Sequence, residues 1–340
     1  MFRLLLLLCA ALLVGFVRPG VGYAAEVGAQ DLRPLARRLV AEVVRPAHAA
    51  LSGAARAAAE GWEIECRAAA PSRDRLAERH RALARAWWFV EAVRFGPVGE
   101  DFRGERLSFW PDRRNATTRG LAALRDPAAP EPTPELVRAA SAAVQGLPAL
   151  ERLIFDGRGG LDRRDCAIGR AIATNVAALT AEIDAGWTDL EAKIATDPEA
   201  ARELVARLTT DLLTEFQVLI DVKLAPLGKS PDAARPDGLE GRRAGLERDA
   251  LAHPLAGLLA LARVLVDGRE AGATVLFTLE GAAGVAEGLP ASVGPLLGDP
   301  RRRSTVVLLR DALRSAQDTA LADLPPLVGI TVGFNSRDGD

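Results

Sequence analysis

Glu151 is the first carboxylate to consider for chemistry in this sequence, because it follows a break in a helical pattern. Gly146 and Pro148 interrupt the helix-forming stretch before it. In a helix interior Pro costs about 3 kcal/mol and Gly about 1 kcal/mol relative to Ala. We therefore expect a new helix to start with Pro148 in its first position. Glu151 would then lie in the first turn, where a carboxylate suits the free N–H groups and the helix dipole. This structural role and a ligand-binding role are both open.

The histidines do not form a pattern typical of a zinc hydrolase. His48, His80 and His253 are scattered, and neither an H-E-x-x-H nor a G-x-S-x-G motif is present. Catalytic zinc needs a set of protein ligands around an open position, which this spacing does not offer. Carboxylates can still bind a hard cation, and Glu151 and Asp112 are the first candidates. The cofactor is not identified by the sequence, and iron or another divalent metal is a candidate.

The segment 98–134 is rich in Gly, Pro, Arg and Asp and is predicted to be a long loop. It contains Arg106, Trp110 and Asp112. An aromatic side chain beside an acid and arginines can line a pocket for an anionic or polar ligand, or it can pin a crossover loop to the rest of the fold. We favour pinning for Trp110 and leave both interpretations open for Arg106 and Asp112.

Apolar spacing along the rest of the chain predicts helices, and hydrophobic residues at 49% with aromatics at 5% suit close helix packing. Ser72 and Thr133 are predicted caps, and the Gly-rich stretch 268–298 is expected to contain a short helix at 273–279 rather than a strand. The predicted helices are 29–65, 72–95, 133–146, 148–154, 164–195, 198–224, 246–266 and 304–324. The fold class is therefore all-α.

The N-terminus has the pattern of a secretory signal peptide. Arg3 precedes an uncharged apolar run from Leu4 to Val17, and small residues lead to a cleavage site after Ala24. An uncleaved anchor is less favoured because the run is short for a membrane span. We expect an exported protein without a membrane span after cleavage. The net charge of −2 and the absence of a basic block argue against a nucleic-acid partner.

Cys66 and Cys166 are the cysteines left after signal cleavage. In an oxidising compartment such a pair suggests one disulfide between distant elements, worth about 2–4 kcal/mol. Free buried thiols are the alternative. A metal site built on two cysteines would need further ligands, and no C-x-x-C spacing supplies them.

The motif at 146–151 resembles the G-x-H-x-x-E signature of imelysin-like proteins, also classed as M75 peptidases, with Pro148 in place of the His. Further similarity lies at 94–97, 106–112 and 329–340, and at Cys166, Asn175 and Trp187. The segment 239–246 resembles a second family segment, E-x-x-R-S-G, with Ala244 in place of Ser. For Glu240 and Arg243 we favour an ion pair at a helix start over a role in a site. The ligand-binding candidates are Gly146, Pro148, Glu151, Arg106, Trp110, Asp112, Glu240 and Arg243.

The resemblance implies two packed up-and-down helical bundles, with a duplication possible. The expected domains are the signal peptide at 1–24, an N-terminal bundle at 25–160 and a C-terminal bundle with its tail at 161–340, the glycines at 157–160 marking the boundary. It also implies a periplasmic protein tied to iron uptake, which binds a metal, a metal complex or a partner in the groove between bundles. Because Pro148 replaces the motif His, we favour a non-catalytic protein. A divergent metal-dependent peptidase and an envelope scaffold that docks a protein partner are the alternatives.

Overall fold

Helices make up the regular structure of this protein, described here by a computed structural model that covers residues 31–156 and 161–330. No β-strand occurs within those ranges, so the predicted all-α class is confirmed. The predicted signal peptide, the glycines at 157–160 and the tail at 331–340 lie outside the described residues. The α-helices are α1 (Arg33–Arg38), α2 (Arg45–Arg67), α3 (Arg73–Val90), α4 (Arg103–Leu107), α5 (Ala116–Arg125), α6 (Pro134–Ala139), α7 (Leu147–Phe155), α8 (Arg163–Thr196), α9 (Pro198–Gln217), α10 (Asp249–Val266), α11 (Ala273–Glu287), α12 (Gly294–Leu297) and α13 (Ser304–Val328).

Two π-helical segments extend the longer helices. Leu39–Val44 joins α1 to α2, and Val218–Lys223 follows α9 directly. The first stands just before Pro46, which has no N–H to donate to the carbonyl of Glu42 and therefore cannot continue a regular ladder. The second carries Lys223 to the point where the helix ends.

Helix α2 packs along α8, and a disulfide joins the pair. The indole of Trp62 lies against Gly169, where an added Cβ would be 2.1 Å from a ring carbon, so only glycine allows this approach. About one turn away Cys66 and Cys166 are bonded, with their Cα atoms 5.5 Å apart. The predicted disulfide is confirmed, and it ties the longest helix of the second half to the first half.

Other contacts also run between the two halves of the sequence. Helix α3 packs against α7 and α10, and α10 in turn packs against α11. Gly257 of α10 allows its closest approach to α3, because an added Cβ would lie 2.0 Å from the carbonyl oxygen of Phe89. The division into two bundles near residue 160 stays a prediction.

Helix α10 is, among the described residues, the one helix apolar and long enough to cross a membrane by length and composition. Two thirds of it, 67%, is buried inside the fold. This burial is what a central core helix requires, and the pattern is therefore explained without a membrane.

Several boundaries differ from the sequence predictions. Helix α3 ends at Val90 instead of residue 95, because Asp211 of α9 accepts hydrogen bonds from the backbone N–H groups of Arg94 and Phe95. The predicted loop at 98–134 contains α4 and α5, which are too short to give a clear periodicity. Both predicted caps are present, at Ser72 and Thr133. The segment 273–279 is helical as predicted and belongs to α11.

Candidate functional site

Gly146 is required by a close approach between two segments. An added Cβ would lie 2.1 Å from the carbonyl oxygen of Leu107 and 2.4 Å from that of Arg106. Helix α7 then starts at Leu147, so Pro148 occupies its second position and not the predicted first. The residue before the helix is thus fixed by packing against the end of α4, which explains the glycine of the motif.

Glu151 is the fifth residue of α7 and does not lie in the first turn, so the predicted helix-start role is wrong. One carboxyl oxygen instead accepts a hydrogen bond of 3.3 Å from the backbone N–H of Ala244. Burial raises the pKa of Glu151 to about 7, against the opposing effects of Arg243 and the Ala244 amide. Near neutral pH this carboxyl is therefore divided between its protonated and ionised forms.

Most of the predicted site residues face a single cavity of about 280 Å³, which we call the Glu151 cavity. Its walls come from the connection between α4 and α5, from α7 and from the turn at 237–243. It brings together Trp110, Asp112, Pro148, Glu151, Glu240 and Arg243. Gly146 and Arg106 are not part of its lining.

Asp112 is engaged in holding the start of α5. Its two carboxylate oxygens accept hydrogen bonds from the backbone N–H groups of Ala116, at 2.8 Å, and Thr117, at 2.9 Å. Partial burial opposes ionisation, but the Thr117 and Ala116 amides prevail and lower the pKa of Asp112. Arg152 lies 3.8 Å from the same carboxylate. Asp112 therefore acts as a cap whose oxygens already have donors.

Glu240 and Arg243 do not pair with each other, so the predicted ion pair is wrong. Glu240 lies 2.7 Å from the ammonium of Lys223, and Arg243 lies 2.7 Å from Asp156. Between them Gly241 has φ +70°, so the segment is a turn and not the start of a helix. The spacing of three residues brings side chains together on a helix but not across this turn.

Lys223 is a buried neighbour of the site that sequence reasoning missed. It is 2% exposed and forms ion pairs with Glu91 and Glu240, and it donates a hydrogen bond of 3.1 Å to the carbonyl of Ala250. We call Lys223, Glu91 and Glu240 the Lys223 cluster. Burial raises the pKa of Glu91 well above its usual value, although Lys223 opposes the shift. The sequence does indicate that Lys223 is buried, because it continues the apolar face of α9 at helical spacing from Phe216 and Ile220.

Trp110 separates several cavities. A second cavity of about 290 Å³ lies over the Lys223 cluster, and a third of about 620 Å³, which includes Arg106, opens beside α4. Trp110 lines both of these and the Glu151 cavity. Its ring centroid is 5.9 Å from the Lys223 ammonium, a cation–π distance. This contact is what the pinning interpretation of Trp110 requires.

His80 also lies next to Glu151, although its position in the sequence gave no sign of this. A small void of about 40 Å³ is lined by His80, Trp87, Pro148 and Glu151. Burial lowers the pKa of His80 to about 4, so its imidazole is neutral near pH 7. The ring nitrogen Nδ1 of His80 and the indole Nε1 of Trp87 are buried without a hydrogen-bond partner.

The donor groups of the Glu151 cavity do not fit a bare metal ion. Within residues 31–156 and 161–330 no three His, Cys, Asp or Glu side chains are placed to hold one. Asp112 is occupied by backbone amides and Glu240 by Lys223, while Glu151 is partly protonated. A hard cation prefers several ionised oxygen ligands, which these residues do not offer together.

The chain is similar to known proteins in both sequence and fold. Residues 44–320 match the model of the imelysin family, peptidase M75. An imelysin-like protein from Psychrobacter arcticum 273-4 has a similar solved structure, with a TM-score of 0.75 and 22% identity over 89% of this chain and 97% of that one. No curated protein matches this chain. The structural similarity establishes a shared fold, and the family model covers most of the sequence. The chain therefore belongs to the imelysin family.

Proposed function

We propose that this protein is an exported, non-catalytic binding protein of the periplasm, tied to iron uptake, whose ligand occupies the Glu151 cavity. The observation that carries the proposal is the convergence of six predicted site residues on this one cavity. They come from three separate segments of the chain, and their side chains combine both charges with an aromatic wall. Such a mixture in a concave site is typical of a small-ligand pocket.

The ligand we infer is a metal complex or a small polar molecule. Arg113, Arg152 and Arg243 line the cavity together with several carboxylates, so both hydrogen-bond donors and acceptors are presented to its contents. A volume of about 280 Å³ restricts the ligand to a small one. Because the carboxylates already have partners, iron would enter with its own ligands and not as a bare ion.

Export is supported by two independent features. The first 24 residues have the charge and hydropathy pattern of a signal peptide. The Cys66–Cys166 disulfide fits an oxidising compartment, where such bonds persist. The link to iron uptake rests on the resemblance to imelysin-like proteins.

The proposal is tested by the contents of protein purified from periplasm without chelators. Elemental analysis and native mass spectrometry would be run on the wild type, on Glu151→Ala and on Glu203→Ala as an exposed-glutamate control. We expect a bound metal complex or organic ligand in the wild type and the control, and its loss in Glu151→Ala. Equal ligand content in all three proteins, or no ligand in any after growth with excess iron, would contradict the proposal.

A second candidate, a divergent hydrolase, is favoured by one observation. Burial raises the pKa of Glu151 to about 7, which suits a general acid or base at neutral pH. A peptide library incubated with Zn²⁺, Fe²⁺ or Mn²⁺ would be cleaved by the wild type and not by Glu151→Gln if this candidate is correct. Absence of cleavage under all three conditions would exclude it.

A further inference from the structure

Arg106 is held in place by a neutral partner. Its Nε donates a hydrogen bond of 2.7 Å to the side-chain oxygen of Gln145. Gln145 is 3% exposed, and its amide nitrogen donates to the carbonyls of Ala140, at 2.7 Å, and Arg138, at 3.2 Å. The amide therefore cannot turn, and only its oxygen faces Arg106. A fixed acceptor thus orients the guanidinium without neutralising it.

The charges around Arg106 leave it without an ion pair. Among the described residues no carboxylate lies within ion-pair distance of it. Glu182, the strongest acidic influence, is shared between Arg103, at 3.2 Å, and Arg138, at 2.7 Å. Burial, followed by repulsion from Arg138, lowers the pKa of Arg106. An arginine nevertheless stays charged at neutral pH, so a bound anion would be favourable here.

The cavity that Arg106 lines, which we call the Arg106 cavity, has aromatic walls. It measures about 620 Å³ and is bordered by Phe102, Phe109 and Trp110. Phe102 is 72% exposed, and both it and Asp101 have left-handed backbone angles, with φ of +54° and +51°. Left-handed conformations cost about 1–2 kcal/mol per non-glycine residue. Two in succession hold a large apolar side chain outward at the cavity mouth, where a ligand can cover it.

Acidic residues at the same cavity limit the charge of its ligand. Asp101 and Glu105 also line it, and both are exposed, whereas Arg138, the other arginine of the lining, is already paired with Glu182 at 2.7 Å. They would repel a molecule with several negative charges, whereas one carboxylate can bind Arg106 through two parallel N–H groups. The aromatic walls favour a ligand whose part beyond the carboxylate is flat and apolar.

We propose that the Arg106 cavity binds a small aromatic monocarboxylate, with its carboxylate on Arg106 and its ring against Phe102, Phe109 and Trp110. The site is separate from the Glu151 cavity and does not depend on the function proposed for it. The two cavities share the Trp110 wall, but their charged residues differ.

The test is a ¹⁹F NMR titration of the mature protein with 4-fluorobenzoate. We expect saturable binding that is at least about tenfold weaker in Arg106→Gln, because a bidentate charge-assisted contact is lost. Phe102→Ala should weaken binding about threefold to tenfold through loss of the aromatic contact. This second variant changes an exposed side chain and keeps the test valid if Arg106→Gln does not fold.

Controls separate this site from its neighbours. Neutral 4-fluorobenzamide and non-aromatic fluoroacetate should each bind more weakly than 4-fluorobenzoate. Arg119→Gln, an exposed change on α5, and Glu151→Gln should leave the affinity unchanged. No binding at millimolar concentration, equal binding of the amide, or loss of binding only in Glu151→Gln would overturn the proposal.

Discussion

Lys223 and Glu151 are both ionisable groups near Trp110, but Lys223 is fully buried, whereas Glu151 is partly exposed at the cavity that it lines. The Lys223 ammonium forms ion pairs with two carboxylates and donates a hydrogen bond to a backbone carbonyl. Glu151 has one backbone donor, and burial outweighs the help it receives from Arg243. The comparison indicates that Lys223 holds the fold, whereas Glu151 remains free to respond to pH and to a ligand. Glu240 links the two regions, because it pairs with Lys223 and lines the Glu151 cavity.

The largest expected effect is that of Lys223→Met. The change leaves Glu91 and Glu240 buried without their cation, and breaking a buried pair in this way costs about 3–5 kcal/mol. Urea unfolding at pH 7 should show this loss in the free energy of unfolding. Lowering the pH should reduce it, because protonation of Glu91, whose pKa is raised by burial, removes part of the excess negative charge.

The matched control for this change is Lys229→Met, which replaces an exposed lysine six residues further along the chain. It should alter the free energy of unfolding by less than about 0.5 kcal/mol. If Lys223→Met were no more destabilising than the control, the Lys223 cluster would not be the structural element that the comparison requires.

The second largest expected effect is that Glu151→Gln removes part of the pH dependence of the free energy of unfolding. A raised folded-state pKa means that the folded protein binds this proton more tightly than the unfolded chain does. The resulting stability is complete below about pH 4.5, the ordinary value, and is lost as the pH rises through about 7. The variant should therefore gain about 2 kcal/mol relative to the wild type between pH 5 and pH 8.

Urea unfolding of both proteins at these two pH values measures this difference. The buried imidazoles of His48 and His80, whose pKa values are lowered to about 4 by burial, act in the opposite direction. His48, which lines no cavity with Glu151, destabilises both proteins equally as the pH falls and cancels in the comparison. His80 lines the same small void as Glu151, so its titration is part of the measured difference. Glu203→Gln is the exposed control. If the difference in the free energy of unfolding between Glu151→Gln and the wild type were the same at both pH values, Glu151 would be ionised in the folded state at both.

The sequence predicted the all-α class, the disulfide, two caps and six of the residues that line the Glu151 cavity. It could not predict Lys223 as their neighbour, because Glu91, Lys223 and Glu240 meet only through the packing of the residue after α3, the π-helical segment after α9 and the turn before α10. The Glu240–Arg243 pair failed for a local reason, since the left-handed Gly241 converts the expected helix start into a turn. Periodicity gives the faces of helices, but ion pairing between distant segments depends on tertiary structure.

Substitutions of Asp112 have the smallest expected effect on stability. They are informative because Asp112 lines the Glu151 cavity, yet its carboxylate already has partners within the protein, as the ammonium of Lys223 does. Asp112→Ala removes both acceptors from the start of α5 and should cost about 1 kcal/mol in urea unfolding. Asp112→Asn keeps one oxygen acceptor and should lose less. Neither should change the ligand content of protein purified from periplasm, whereas Glu151→Ala should. If Asp112→Ala instead lost its ligand while its stability was unchanged, Asp112 would be a binding residue. Its position in the lining of the Glu151 cavity would then predict its role better than its hydrogen bonds to the start of α5.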